Sequence, residues 1–232
     1  FGKGGDDIWL LKTDFLGEEL WNTTFGGKQD DAGFQVVELA DGYAVTGRTE
    51  SGSDKMRIIL IKADFNGKKL WEKTYHGSSA SSLQSTADGG FVIAGRIDNK
   101  ETGRDALIIK TDSKGSEDWS MTLAGSADDI GTFAVQSRGG SYSLAGITSS
   151  HGSGREDAWL VKIRGEQLSD ENETQLQNLT LPDFSSLNST SSNSSLNSSL
   201  LNSSSPKIVQ FFPVGKEVNE ATKADQIKAQ EI

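Results

Sequence analysis

The sequence contains no cysteine. Disulfide scaffolds, cysteine-bound zinc and thiol nucleophiles are thereby excluded, while the compartment stays open, because a large core needs no cross-links. Histidine occurs only at His76 and His151, and neither has a partner at metal-ligand or catalytic-triad spacing. No G-x-S-x-G elbow, phosphate loop or basic stripe with interleaved aromatics is present. Apolar runs fall well short of the ~18–20 residues of a membrane helix, so no membrane insertion is expected. Prolines number three, and helical periodicity is almost absent. Basic residues are outnumbered, 23 against 33, for a net charge of −10. That balance argues against a nucleic-acid partner or a polybasic membrane surface. The chain starts at Phe1, not Met, with no signal peptide in view, which reads as a processed or longer protein.

What the chain has is repetition. Lys12, Lys62, Lys110 and Lys162 follow one another at steps of 50, 48 and 52 residues. Trp21, Trp71 and Trp119 step by 50 and 48, and Trp9 and Trp159 lie 150 apart. Gly47, Gly95 and Gly146 keep the same register, each closing a short apolar run. A period near 50 with strand-like content points to propeller blades.

Each unit holds four short strand candidates separated by Gly, Asp and Ser turns. Strand A is predicted over Phe34–Leu39, Ser82–Thr86 and Phe133–Ser137. Strand B is predicted over Tyr43–Thr49, Phe91–Ile97 and Tyr142–Thr148. Strand C covers Ile8–Thr13, Arg57–Ala63, Ala106–Thr111 and Ala158–Ile163, and strand D covers Glu19–Phe25, Lys69–Tyr75 and Glu117–Leu123. The A–B links are D-G or G-G, where a tight hairpin needs positive φ. The C–D links read D-x-x-G, in which Asp can accept backbone N–H bonds and Gly can take the left-handed position. Strand C is apolar on both faces, as befits a strand covered from both sides. The fold class is therefore all-β, a partial β-propeller of four-stranded antiparallel blades followed by a Ser/Asn-rich tail.

The pattern D-x-x-L-I-K-x-D-x-x-G-x-x-x-W-x-x-T-x-G-G…D-G-G-Y-x-x-x-G resembles the repeat of secreted bacterial and archaeal surface propellers over residues 4–164. Ala63–Trp71 (A-D-x-x-G-x-x-x-W) is also similar to the tryptophan-docking repeat of quinoprotein propellers, with a turn one residue shorter. The resemblance implies that the tryptophan of this motif, Trp71, wedges between adjacent blades, a packing role without a cofactor; Trp9, Trp21, Trp119 and Trp159, repeated likewise, are read as structural blade residues. Lys12, Lys62, Lys110 and Lys162, repeated in every unit, are read as structural in the same way.

Three segments follow. Residues 1–165 form a partial propeller of two complete and two incomplete blades, its ring completed by upstream sequence or a second chain. Residues 166–205 form a Ser/Asn-rich linker in which Asn172, Asn178, Asn188, Asn193, Asn197 and Asn202 each head an N-x-S/T sequon. Glycosylation there would place the chain outside the cytoplasm; an unmodified disordered linker is the alternative. Asn22 is a seventh sequon, on a strand. Residues 206–232 hold P-K-I-V-Q-F-F-P…E-V-N-E, which resembles the first strand of Ig-like modules following archaeal surface propellers; a short helix over Glu217–Gln230 is the other reading.

Sites are sought where copies differ, in the D–A and B–C connections at one rim. Asp30-Asp31 and Asp128-Asp129 are paired carboxylates able to bind Ca²⁺ or to share acid–base work, although neither has calcium-loop spacing. Capping a turn is their structural alternative. Arg48 and Arg96, with Ile147 in the third copy, could clamp a carboxylate or a sulfated sugar, or form strand-end ion pairs. No catalytic constellation emerges, and beyond Ca²⁺ no cofactor is expected. The expected function is a non-enzymatic extracellular module of a cell-surface protein, with proteins or glycans as partners, serving adhesion, binding or envelope structure. A catalytic propeller (polysaccharide-active or quinoprotein) and a pure spacer are the alternatives.

Overall fold

The computed structural model describes residues 2–50, 56–152, 155–164 and 207–208. Among them there is no helix, and every strand pairing is antiparallel. The first sheet joins β1 (Ile8–Thr13) to β2 (Glu19–Phe25). The second runs β3 (Asp31–Leu39), β4 (Gly42–Thr49), β5 (Arg57–Ala63) and β6 (Lys69–Tyr75) in order. The third repeats this with β7 (Ser79–Ser85), β8 (Phe91–Asn99), β9 (Gly103–Thr111) and β10 (Glu117–Leu123). The fourth comprises β11 (Asp129–Gln136), β12 (Tyr142–Thr148), β13 (Asp157–Arg164) and the two-residue β14 (Lys207–Ile208).

The turns follow from their residues. Asp14, Asp64 and Asp112 each accept two backbone N–H bonds through Oδ1, from the residues two and four further on. Gly17, Gly67 and Gly115 then take φ of +86°, +77° and +75°. An L-residue side chain would clash there, so the fold needs glycine.

Burial is built between sheets. Ile8, Leu10 and Phe25 of the first sheet pack on Val45, Ile59 and Ile61 of the second. Ile58, Leu60 and Tyr75 of the second pack on Leu83, Phe91 and Ile93 of the third. Val92, Ile108 and Leu123 of the third pack on Ala134, Leu144 and Val161 of the fourth. Since side chains alternate along a strand, Ile58 and Leu60 face one neighbour while Ile59 and Ile61 face the other. Each such side chain contributes about 1.5–3 kcal/mol on leaving water.

One contact recurs at all three junctions. Trp21, Trp71 and Trp119 meet Tyr43, Phe91 and Tyr142 of the following sheet edge-on, with ring centroids 5.9, 6.3 and 5.1 Å apart. The same indoles roof the next sheet's turn: a Cβ on Gly67 would lie 2.8 Å from the Trp21 ring, and one on Gly115 would lie 2.8 Å from the Trp71 ring. Polar bridges tie the A-type strands together, since Gln35 Oε1 accepts from Leu83 N and Ser82 Oγ accepts from Ala134 N.

Three features differ from the sequence reading. The A-type strands begin at Asp31, Ser79 and Asp129, several residues earlier than predicted, because each crosses a β-bulge (between Gly33 and Gln35, Ala80 and Ser82, Gly131 and Phe133) and continues pairing. The B–C connection between Arg96 and Asp105, expected from the sequence to be a loop between strands, mostly extends the β8–β9 hairpin, with Asn99 opposite Gly103. The fourth strand position of the last sheet is taken by Lys207–Ile208, opposite Ile163 and Arg164, whereas the sequence reading placed these residues in a separate segment beyond the linker. The six tail sequons and residues 209–232 lie outside the described residues.

Candidate functional site

The D–A and B–C connections meet at one end of the sheets, so their polar residues form a single rim. The paired aspartates separate there, because neighbouring residues at a strand start point in opposite directions. Asp30 Oδ1 accepts from Asp6 N, tying down the segment before β1. Asp31 is buried and its Oδ2 accepts from Gly27 N at 2.8 Å. In the second pair, Asp128 Oδ1 accepts from Arg104 N, while Oδ2 takes a bidentate bond from the Arg104 guanidinium. That guanidinium holds the Asp128 carboxyl below its usual range. Asp129 is fully buried; its Oδ2 accepts from Ser150 Oγ at 2.8 Å, and its Oδ1 has no partner among the described residues.

The two pairs also stand at different junctions, Asp30 and Asp31 at the start of β3 and Asp128 and Asp129 at the start of β11. Among the described residues no group of three or more His, Asp or Glu side chains converges in a way that could hold a metal ion. The arginines are likewise apart. Arg48 lies over the Phe34 ring at 6.0 Å, whereas Arg96 Nε stands 3.4 Å from Asp98 Oδ1, an ion pair without hydrogen-bond geometry.

Three rim residues escaped the sequence reading. Asp105 is buried and accepts from Asn99 Nδ2 and Thr102 Oγ1, which shapes the β8–β9 hairpin end. Arg104 is the partner of Asp128. Arg57 stands five residues before its lysine, where the other copies have Asp7, Asp105 and Asp157, and its Nε is buried without a partner among the described residues. Comparison of that one column across the copies would have shown the exception. His76 is exposed, and His151 packs against Trp159 with ring centroids 5.9 Å apart.

The repeated lysines occupy four different environments. Lys12 Nζ donates to Tyr43 Oη, and Lys62 pairs with Asp41 at 2.7 Å. Lys110, only 3% exposed, pairs with Asp88 and Asp118 and donates to the Thr111 carbonyl. Lys162 is exposed. The end sheets also present apolar faces. Trp9 is 60% exposed and Leu11 lies beside it on the first sheet, while Phe133, Val135, Ile147 and Leu160 lie open on the last. Trp159, by contrast, is partly buried against the core between the third and fourth sheets.

These features define a modular all-β architecture of face-packed antiparallel sheets with an internally ion-paired rim. No protein-family model matches the chain, and no curated protein matches it. Among the described residues no helix is long and apolar enough to cross a membrane.

Proposed function

We propose that the sheets are blades of a β-propeller and that the chain is a non-enzymatic, extracellular module of a cell-surface or secreted protein, acting in adhesion, protein or glycan binding, or envelope structure. The observation that carries this reading is the repeated junction. One tryptophan, one aromatic and one turn glycine recur in the same relation between successive sheets, and such a relation propagates around an axis. A binding role is favoured over catalysis because the rim carboxylates are engaged with backbone amides, Arg104 and Ser150. The linker sequons support the extracellular placement.

The test is a glycan and surface-protein array probed with the native protein and with a rim variant, Arg48→Glu/Arg96→Glu. Binding that the variant loses at an unchanged melting temperature supports the reading. An empty array points to a spacer, and turnover of a polysaccharide points to a catalytic propeller. A native protein that fractionates with cytosol, its linker unmodified by glycan, overturns the surface location.

A further inference from the structure

Strands β2, β6 and β10 each form an outer edge of their sheet, and among the described residues none of them pairs with a further strand. They align without gaps as E-L-W-N-T-T-F, K-L-W-E-K-T-Y and E-D-W-S-M-T-L. The tryptophan and the threonine three residues after it are common to all, so Thr24, Thr74 and Thr122 belong to the repeat. The residue after the tryptophan varies: Asn22, Glu72 and Ser120. Asn22 alone makes the repeated threonine the third residue of an N-x-T sequon. The other two asparagines among the described residues, Asn66 and Asn99, head none.

The position is open even where a neighbouring sheet is in place. Asn22 lies opposite Leu11 as Glu72 lies opposite Ile61 and Ser120 opposite Ile109, and cross-strand partners share a sheet face. Ile61 packs on the first sheet and Ile109 on the second, so Glu72 and Ser120 stand on faces that have a neighbour. Both are exposed nonetheless, and so is Asn22. Asn22 Nδ2 donates to Glu19 Oε1, and substitution of one of its two hydrogens leaves the other for that bond. The three edges also differ in charge. β6 carries Lys69, Glu72 and Lys73, and β10 carries Glu117 and Asp118, whereas β2 has only Glu19, beside Leu20 at 57% exposure. Charged side chains on an edge strand oppose its pairing with another chain. At the positions of Glu72 and Lys73, β2 has the uncharged Asn22 and Thr23.

We propose that Asn22 is an N-glycosylation site and that its glycan replaces the missing charges as the guard of the outer β2 edge. In the transfer, Nδ2 of Asn22 bonds to the anomeric carbon of a polyprenyl-phosphate-linked oligosaccharide. The bond from that carbon to the phosphate oxygen breaks, its electron pair leaves with the lipid phosphate, and the amide gives up one proton. A bulky, hydrated group on this strand then keeps a second strand from approaching the edge. The proposal rests on the extracellular reading, since the modification needs that route, but it concerns Asn22 by itself and not the linker sequons.

The experiment secretes the full chain from a host that glycosylates N-x-T sequons and weighs the tryptic peptide Thr13–Lys28, in which Asn22 is the only asparagine. A glycan on this peptide is expected, lost in Asn22→Gln and in Thr24→Ala and kept in Thr24→Ser. Sedimentation then compares the forms. Asn22→Gln should associate more strongly than the glycosylated chain, and Asn22→Lys, which supplies a charge, should return to the behaviour of the glycosylated chain. A bare Asn22 in the secreted, folded chain overturns the proposal whether or not the linker sequons are occupied. Linker asparagines left bare beside a glycosylated Asn22 would support this site while counting against the extracellular reading of the linker. Equal association of the glycosylated and Asn22→Gln forms would overturn the guarding role.

Discussion

Gly115→Ala isolates the junction that holds neighbouring sheets together. The residue sits at φ +75°, and a methyl group there would lie 2.8 Å and 2.9 Å from Cζ3 and Cη2 of Trp71 and 3.0 Å from Lys73 Cγ. Two costs add: about 1–2 kcal/mol for a left-handed L-residue and about 1–3 kcal/mol for overpacking a ring that is itself wedged. Gly17 has the same turn, the same aspartate cap and φ +86°, but nothing lies within 4 Å of its methyl position. Gly17→Ala should therefore cost only the first term. Gly140, at φ +79° and equally open, serves as a second reference in the last sheet. Urea unfolding of each variant should show Gly115→Ala less stable than both references by about 1–3 kcal/mol. In a Trp71→Leu background that excess should vanish, which a double-mutant cycle measures. Equal costs at the three glycines, or an excess that survives loss of the indole, would refute the docking.

The lysines should rank by environment. Lys110→Ala is expected to cost about 1–3 kcal/mol, since it strips three bonds from a buried ammonium yet leaves partners that reach water, while Lys62→Ala costs under about 1 kcal/mol and Lys162→Ala almost nothing; a flat series in urea melts would contradict this. Acid should weaken the fold through Asp88. Burial raises its pKa, but hydrogen bonds from Lys110, Thr86 and the Gly90 N–H more than offset that and bring it down to about 2. Because this lies below the ~3.9 of an unfolded chain, the stabilisation is present above about pH 4 and lost as pH falls toward about 2. Asp88→Asn should flatten that limb of the urea midpoint against pH, and an unchanged limb would exclude it. Asp31→Ala leaves the Gly27 N–H without its acceptor and should cost about 1–3 kcal/mol. The melting temperature of the unaltered protein should not respond to Ca²⁺ or EDTA, and a shift on chelation would reassign the rim carboxylates as ligands.

Strands and turns were legible from the residues in order. The D-x-x-G motifs act within a few residues, through an aspartate that accepts nearby amides and a glycine free to adopt positive φ. The alternation in Ile58–Ile61 likewise requires only that both faces of one strand be covered. Three facts needed the folded chain. The split of Asp30 from Asp31 and of Asp128 from Asp129 depends on which segments pass on either side of the rim. The four fates of Lys12, Lys62, Lys110 and Lys162 depend on turn residues more than twenty positions away in Asp41 and Asp88, and in Lys12 on the next sheet. The pairing of Lys207–Ile208 with Ile163 and Arg164 joins segments more than forty positions apart. Local chemistry acts over a few bonds and is written in order along the chain; burial, ion pairing and distant strand pairing are properties of what folding brings alongside.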